Sequence, residues 1–326
     1  MSESYRLLFR TTGGPEVVES EPLGSLSPGP GELLVRHEAV GLNFIDTYHR
    51  SGHYPVPLPS GLGAEAAGQV EAVGEGVADF HEGDRIGYFS GPLGAYATHR
   101  VIDAFRAVKL PETVDAETAA AVLLKGCTAE YLIERCARVQ AGDTILVHAA
   151  AGGVGSILVP WLKAIGATVI AHAGSAEKAA MAKALGADHA LSCPMDELAE
   201  AVRERTQGRG VRAALDGVGA ASWEASLASL ARRGLLVTYG NASGPVPPIR
   251  TLDLTSAGSV FVTRPTLADY AATPEERQAS AARLFAMIAS GKVSVRIGAR
   301  YKLRDAADAH RALESRTTTG STLLIP

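Results

Sequence analysis

The stretch DTILVHAAAGGVGSILVPWLKAIGATVIAHAG, from Asp143 to Gly174, constrains the fold more than any other part of the chain. Ile145, Leu146 and Val147 form a short apolar run with β-branched residues, suited to a strand buried on both faces of a parallel sheet. A glycine turn follows at once. Gly152, Gly153 and Gly155 let the backbone approach a ligand closely, and Gly155 leaves room for the next helix to pack on the strand. That helix begins near Val154, where unpaired first-turn amides and the partial positive charge of a helix end suit a pyrophosphate. Gly166 stops it. A second strand, Ala167 to Ala173, completes a βαβ unit within the roughly 30 residues of a dinucleotide-binding crossover. Ala150 stands where GxGxxG has its first glycine, and the bland alternative is an ordinary tight βα turn. Two strands and a helix in the right order favour the dinucleotide.

The end of the second strand selects the cofactor. An NAD site places a carboxylate there to accept from the ribose 2′-hydroxyl. Here the residues are Ala171, His172, Ala173, Gly174, Ser175 and Ala176, with no acid among them. Ser175 and Lys178 bring a hydroxyl and a cation to the start of the next helix, which favours a dianionic 2′-phosphate. The expected cofactor is NADPH rather than NADH; a solvated surface lysine is the ordinary alternative for Lys178.

At 326 residues the chain exceeds the size at which one hydrophobic core stops growing, so two domains are expected. A net charge of −4, from 31 basic and 35 acidic residues without a basic run, argues against nucleic acid and against a polybasic membrane surface. No signal-peptide core and no apolar segment of about 18 residues is present, which points to the cytoplasm. Cys127, Cys136 and Cys193 are scattered without CxxC spacing, suggesting neither a disulfide framework nor a cysteine zinc site.

From Glu32 to Ala72 and from Asp84 to Val108 short alternating runs broken by glycine and proline read as a small β-rich domain. Helical texture takes over at Ala116, with helices expected over Glu117–Leu124 and Ala129–Val139. Further βα units follow: Ala190–Ser192 with Met195–Thr206, Ala213–Asp216 with Ser222–Ala231, then the strand Leu235–Tyr239. Such alternation builds a doubly wound parallel sheet. One more helix, Pro274–Ser290, precedes the segments VRIGARYKL, DAADAHRALES and STLLIP.

The runs GLNFIDTYHRSGHYP, LPSGLGAEAAGQVEAVGEGV, GDRIGY, AVLLKGCTAEYL, HAAAGGVGS, RRGLLVTYGNASG, VTRP and ESRTTTGSTLLIP resemble the NADPH:quinone oxidoreductases, the zeta-crystallin-like branch of the medium-chain dehydrogenase/reductase superfamily. The resemblance covers essentially the whole chain. It implies an α/β fold in which a GroES-like β-rich catalytic domain, residues 1–125, receives an inserted Rossmann NADPH-binding domain, 126–265, and is completed by 266–326. The active site would lie in the cleft between them, and a homodimer would form through the GSVFVTRP strand.

Residue by residue, the resemblance implies that Asn43, Asp46 and Tyr48 lie beside the nicotinamide and the substrate, and Thr128 near the nicotinamide half of the cofactor. Gly152, Gly153, Val154 and Gly155 would cradle the pyrophosphate, and Gly174, Ser175 and Lys178 the 2′-phosphate. Tyr239, Gly240 and Asn241, with Phe261, Val262 and Arg264, would meet the nicotinamide ribose or carboxamide, and Arg316 a cofactor phosphate. Cys193 replaces a tyrosine that many relatives carry near the adenosine phosphate.

Zinc alcohol dehydrogenases of the superfamily use a cysteine and a GHE histidine as ligands; Asn43 and Ala64 stand there in this chain, and the third ligand position falls at Leu124. No metal site is expected. Without zinc to stabilise an alkoxide, alcohol oxidation is disfavoured, whereas a quinone or electron-poor enone delocalises the charge that arrives with a hydride. The expected activity is metal-free hydride or electron transfer from NADPH to a quinone. The alternatives are an alkenal or enone reductase and, in another class, a non-catalytic, crystallin-like NADPH-binding protein.

Tyr48, Tyr54 and Arg264 are candidates to donate hydrogen bonds to the developing oxyanion. Asp46 is read equally as a buried carboxylate that holds its loop, and Glu65 as structural. His37, His49, His53, His148 and His172 lack paired metal spacing and read as surface or capping residues.

Overall fold

The computed structural model describes residues 4–315 and 318–326. The chain forms two compact units: Met1–Cys127 with Ala271–Ala289 and Val295–Pro326, and Thr128–Tyr270 with Ser290–Ser294.

The first unit is built on the strand Glu32–Leu42, which pairs antiparallel with Glu65–Val73, His99–Asp103 and Ser321–Ile325. Leu33 and Val35 alternate inward with more exposed neighbours, as a half-covered antiparallel strand requires, and burial becomes continuous from Ala39 to Leu42. That buried end delivers Asn43 to the N-cap of the helix Phe44–Ser51, which stops at Gly52 with φ 81. Leu33, Val35, Leu62, Val70, Ile86, Tyr88, Tyr96 and Leu324 share one core. Each such aliphatic or aromatic side chain, fully removed from water, contributes about 1.5–3 kcal/mol.

In the second unit six parallel strands lie in the order His189–Leu191, Thr168–His172, Thr144–Val147, Val211–Asp216, Leu230–Thr238, Phe261–Thr263. This is the doubly wound arrangement expected of a Rossmann sheet. Ile145, Leu146 and Val147 are fully buried, and the helix Gly155–Ile165 covers them until Gly166, at φ 93, ends it.

Two helices expected on either side of Lys125 are continuous. One helix runs Ala116–Glu130 and passes into a π-helix, Tyr131–Cys136, whose Ala137 amide reaches the Leu132 carbonyl at 2.9 Å. Leu284 occupies the side-chain space at Gly126, where a Cβ would lie 2.4 Å from the leucine, so the helix carries a glycine there. His37, His148 and His172 are buried, not superficial. His37 donates from Nδ1 to the Ala97 carbonyl at 2.7 Å and accepts from the Tyr88 hydroxyl at 3.0 Å, which makes it a satisfied core residue.

Candidate active site

The strand Thr144–Val147 has the connections of the sheet departing to either side of it, so its carboxyl end is the topological switch point where open α/β sheets bind ligands. His148 ties this end to the next strand, its amide donating to the Leu215 carbonyl at 3.1 Å. The chain then turns through Ala149, held at φ 47, and the Ala149 carbonyl accepts from the Gly152 amide at 2.8 Å. A Cβ on Gly155 would stand 2.4 Å from that carbonyl oxygen and 2.7 Å from Ala150 Cα. The glycine is therefore required by the close passage of turn and helix. Gly152, Gly153 and Val154 lie open or half-covered above it.

On the neighbouring strand His172 Nε2 donates to the Cys193 carbonyl at 3.0 Å, and the Cys193 side chain packs toward the core of this unit. Gly174 and Ser175 are exposed, and a Cβ on Gly174 would meet nothing within 4 Å. Ser175 caps the helix Ala176–Ala184, its Oγ accepting from the Lys178 amide at 3.2 Å. With its oxygen accepting at the cap, the exposed Ser175 hydroxyl still has its proton to donate.

Beyond the switch point lies a buried acid that sequence reasoning passed over. Asp216 Oδ1 accepts from the Val218 amide at 2.8 Å, and its carboxylate takes the hydroxyls of Ser222, at 2.7 and 2.8 Å, and Ser226, at 2.6 Å. Ser226 has spent its only proton on Asp216, so the 2.8 Å contact with His148 Nε2 is donated by the histidine. Burial pushes His148 down to about 4. The run DGVGAAS carried the signal, an aspartate opening a glycine turn, but not His148, which meets Ser226 across 78 residues of sequence.

Tyr239, Gly240 and Asn241 follow the strand Leu230–Thr238, and a Cβ on Gly240 would lie 2.4 Å from the Gly217 carbonyl oxygen. Phe261 and Val262 form the edge strand, with Val262 opposite Leu236. Arg264 is exposed and donates to the Thr238 carbonyl at 2.8 Å. All these residues stand at the carboxyl edge of the parallel strands or on the edge strand itself. Thr128 is buried in the same unit, and Arg316 lies outside the described residues.

Asn43, Asp46, Tyr48 and Tyr54 belong to the first unit. Asn43 and Asp46 form a capping box, with Asp46 Oδ2 accepting from the Asn43 amide at 2.8 Å. Asp46 is fully buried, and desolvation raises its carboxyl to about 7. The same Oδ2 accepts from the Tyr96 hydroxyl at 3.1 Å. Tyr48 and Tyr54 meet edge to face with centroids 5.2 Å apart, and His53 stacks on Tyr54 at 5.4 Å. With Phe44 beside Tyr48 at 5.7 Å they form a half-buried aromatic cluster. Glu65, read as structural, is fully buried and takes hydrogen bonds from Asn43 Nδ2 at 2.8 Å and the Leu124 amide at 2.6 Å. Lys125 Nζ stands 3.7 Å from it.

Among the described residues no three histidine, cysteine, aspartate or glutamate side chains gather as a metal-binding group. At the positions named for zinc ligands, Asn43 turns its amide nitrogen to Glu65, and Ala64 and Leu124 carry no donor atom.

Comparison with known proteins agrees with this architecture. The alcohol dehydrogenase GroES-like domain matches residues 29–112 and the zinc-binding dehydrogenase domain residues 153–285. A quinone oxidoreductase of Pseudomonas aeruginosa is 49% identical over 98% of this chain and 99% of its own length. A 2-haloacrylate reductase of Burkholderia is 41% identical over 96% of each. The crystal structure of Escherichia coli quinone oxidoreductase complexed with NADPH is 45% identical and superposes with a TM-score of 0.96 over 99% of this chain and 100% of that one. The chain belongs to the quinone oxidoreductase family of the medium-chain dehydrogenase/reductase superfamily.

Proposed function

We propose that the chain transfers a hydride from NADPH to a quinone without a metal ion, as a cytoplasmic homodimer. The observation that carries the cofactor is the acid-free end of the Thr168–His172 strand, where open space beside Gly174 meets Lys178 and the exposed Ser175 at a helix N-terminus. A 2′-phosphate finds there a donor, a cation and a favourable helix end. A bare ribose hydroxyl finds no carboxylate before the exposed Glu177.

NADPH, when bound, supplies the hydride from C4 of its nicotinamide. Gly152, Gly153, Val154 and Gly155 hold its pyrophosphate at the N-terminus of the helix Gly155–Ile165, and Arg316 adds a phosphate contact. Thr128, Tyr239, Gly240, Asn241, Phe261, Val262 and Arg264 serve the nicotinamide half, with Asn43 orienting it. The cluster of Tyr48 and Tyr54 offers a flat acceptor an aromatic face, and donors from Tyr48, Tyr54 and Arg264 stabilise the oxyanion as the hydride arrives. Asp46 holds the helix that carries Tyr48. Hydride from the cofactor and a proton from solvent together reduce the quinone by two electrons to the hydroquinone.

The metal-free reading rests on the donor set, an amide, a methyl and an isobutyl group at Asn43, Ala64 and Leu124. The dimer rests on the edge strand Phe261–Thr263, where Phe261 is 62% exposed and Leu252, in the same unit, 68%. No described helix is long and apolar enough to cross a membrane.

A second reading, reduction of an electron-poor alkene, is favoured by the likeness to the 2-haloacrylate reductase. NADPH oxidation measured across naphthoquinones, benzoquinones, enones, alkenals and 2-haloacrylates separates the two. Quinones are expected to turn over fastest. Turnover confined to the alkenes selects the second reading, and tight NADPH binding without oxidation by any acceptor overturns both.

A further inference from the structure

Glu65 is a buried carboxylate for which the hydride transfer has no evident use. It lies in a pocket made for it: a Cβ on Gly41 would stand 2.3 Å from Oε2, so only glycine leaves the carboxylate its place. One oxygen, Oε1, accepts from the Leu124 amide at 2.6 Å. The other, Oε2, accepts from Asn43 Nδ2 at 2.8 Å. The second group facing Nδ2, the Gly41 carbonyl at 3.4 Å, is also an acceptor. Two acceptors admit one orientation of the Asn43 carboxamide, nitrogen inward. Its oxygen then points away from Glu65 with two lone pairs, one of which remains for a ligand even when the other serves the helix N-terminus.

We propose that Glu65 is a positioning residue for cofactor binding, which locks the Asn43 carboxamide so that its oxygen, and not its nitrogen, is offered to an amide or hydroxyl donor of the bound dinucleotide. This rests on the assignment of Asn43 to NADPH made above. The lock requires the carboxylate form, because a protonated carboxyl can donate and so tolerates the turned-over amide. Burial disfavours that form, and Lys125 is the cation that opposes burial. The other charge facing Glu65 is Asp46 from the helix Phe44–Ser51; the flanking strands bring the side-chain-free Gly41 and, in register opposite Glu65, Phe89.

The test is a double-mutant cycle read by equilibrium NADPH binding, from nicotinamide fluorescence, on the wild-type protein, Asn43→Ala, Glu65→Gln and the double variant. Glu65→Gln lets the amide turn over and is expected to weaken NADPH about fivefold, with acceptor KM unchanged, and to add less than about twofold on the Asn43→Ala background. An equal loss on both backgrounds, or no loss on either, overturns the proposal. Failure of the wild-type protein to bind NADPH overturns the cofactor assignment instead. Lys125→Met covers the case in which Glu65→Gln does not fold. It leaves Glu65 in place without its counter-ion, so the NADPH affinity lost at lower pH should be recovered as pH is raised; a loss that does not change with pH refutes the lock.

Discussion

Arg50 and His310, 260 residues apart in sequence, share a buried 2.9 Å hydrogen bond in which only Arg50 can donate. His310 Nδ1 is therefore the acceptor, its proton sits on Nε2, and that proton is given to the Tyr96 hydroxyl at 3.0 Å. Tyr96 in turn donates to Asp46 Oδ2 at 3.1 Å. One direction of donation runs from the Arg50 guanidinium to the carboxyl that caps the helix of Asn43 and Tyr48. Arg50 is anchored at its other end by Glu314 at 2.5 Å.

This arrangement works only with His310 neutral, and burial, with Arg50 beside it, pushes the imidazole down to about 3. Burial likewise pushes His37 to about 3 and His148 to about 4. Unfolded, each titrates near 6.5, so the stability they contribute is complete above that pH and is lost as pH falls toward 3 to 4. Asp46, raised to about 7 by desolvation, acts with the opposite sign; burial shifts Glu65 in the same direction, with Lys125 opposing it. The three histidines outweigh Asp46, and His49, also pushed down by burial, adds to them, so unfolding takes up protons on balance. Urea unfolding should therefore show stability falling as pH drops from about 6 to 5, by roughly 1.4 kcal/mol per pH unit for each net proton taken up. A midpoint that is flat or rises over that interval contradicts the balance.

Lys178→Ala should weaken NADPH about tenfold or more and NADH little, since a hydrogen bond to a charged group is worth about 1.5–3 kcal/mol. Ser175, at the cap, is left intact by the change. Dissociation constants for both cofactors decide it, and equal losses sink the 2′-phosphate assignment.

Gly155→Ala places a methyl 2.4 Å from the Ala149 carbonyl oxygen, and backbone must move to admit it. Overpacking of this kind costs about 1–3 kcal/mol. A lowered melting temperature together with weaker NADPH binding is expected; full retention of both would show the turn is not held as tightly as its geometry states.

Prolonged dialysis against a strong chelator should leave NADPH-dependent quinone reduction unchanged. Recovery of a lost activity on adding zinc would refute the metal-free reaction, whatever the donor groups at Asn43, Ala64 and Leu124 suggest.

The Rossmann unit was legible because its information is local. Strand, glycine turn, helix and second strand follow one another within Asp143–Gly174, each with its own propensity and spacing signal, and the acid-free strand end lies immediately after. The continuity of the helix through Gly126 was not legible, because Leu284, which fills the space a side chain there would need, lies far along the chain. The burial of the histidines was not legible for the same kind of reason: their partners, Tyr88 and Ala97 for His37, Ser226 for His148, lie 51 to 78 residues away.

Residue types alone thus determined a dinucleotide turn, the missing acid beside it and the missing zinc donors, since each is a property of neighbouring positions. Tertiary structure alone decided which way Asn43 turns its amide, which nitrogen of His310 carries the proton, and why Gly41 can be nothing larger. Those are matters of donors and acceptors brought together inside a desolvated core, where an unmatched polar group is costly and only one arrangement satisfies all of them.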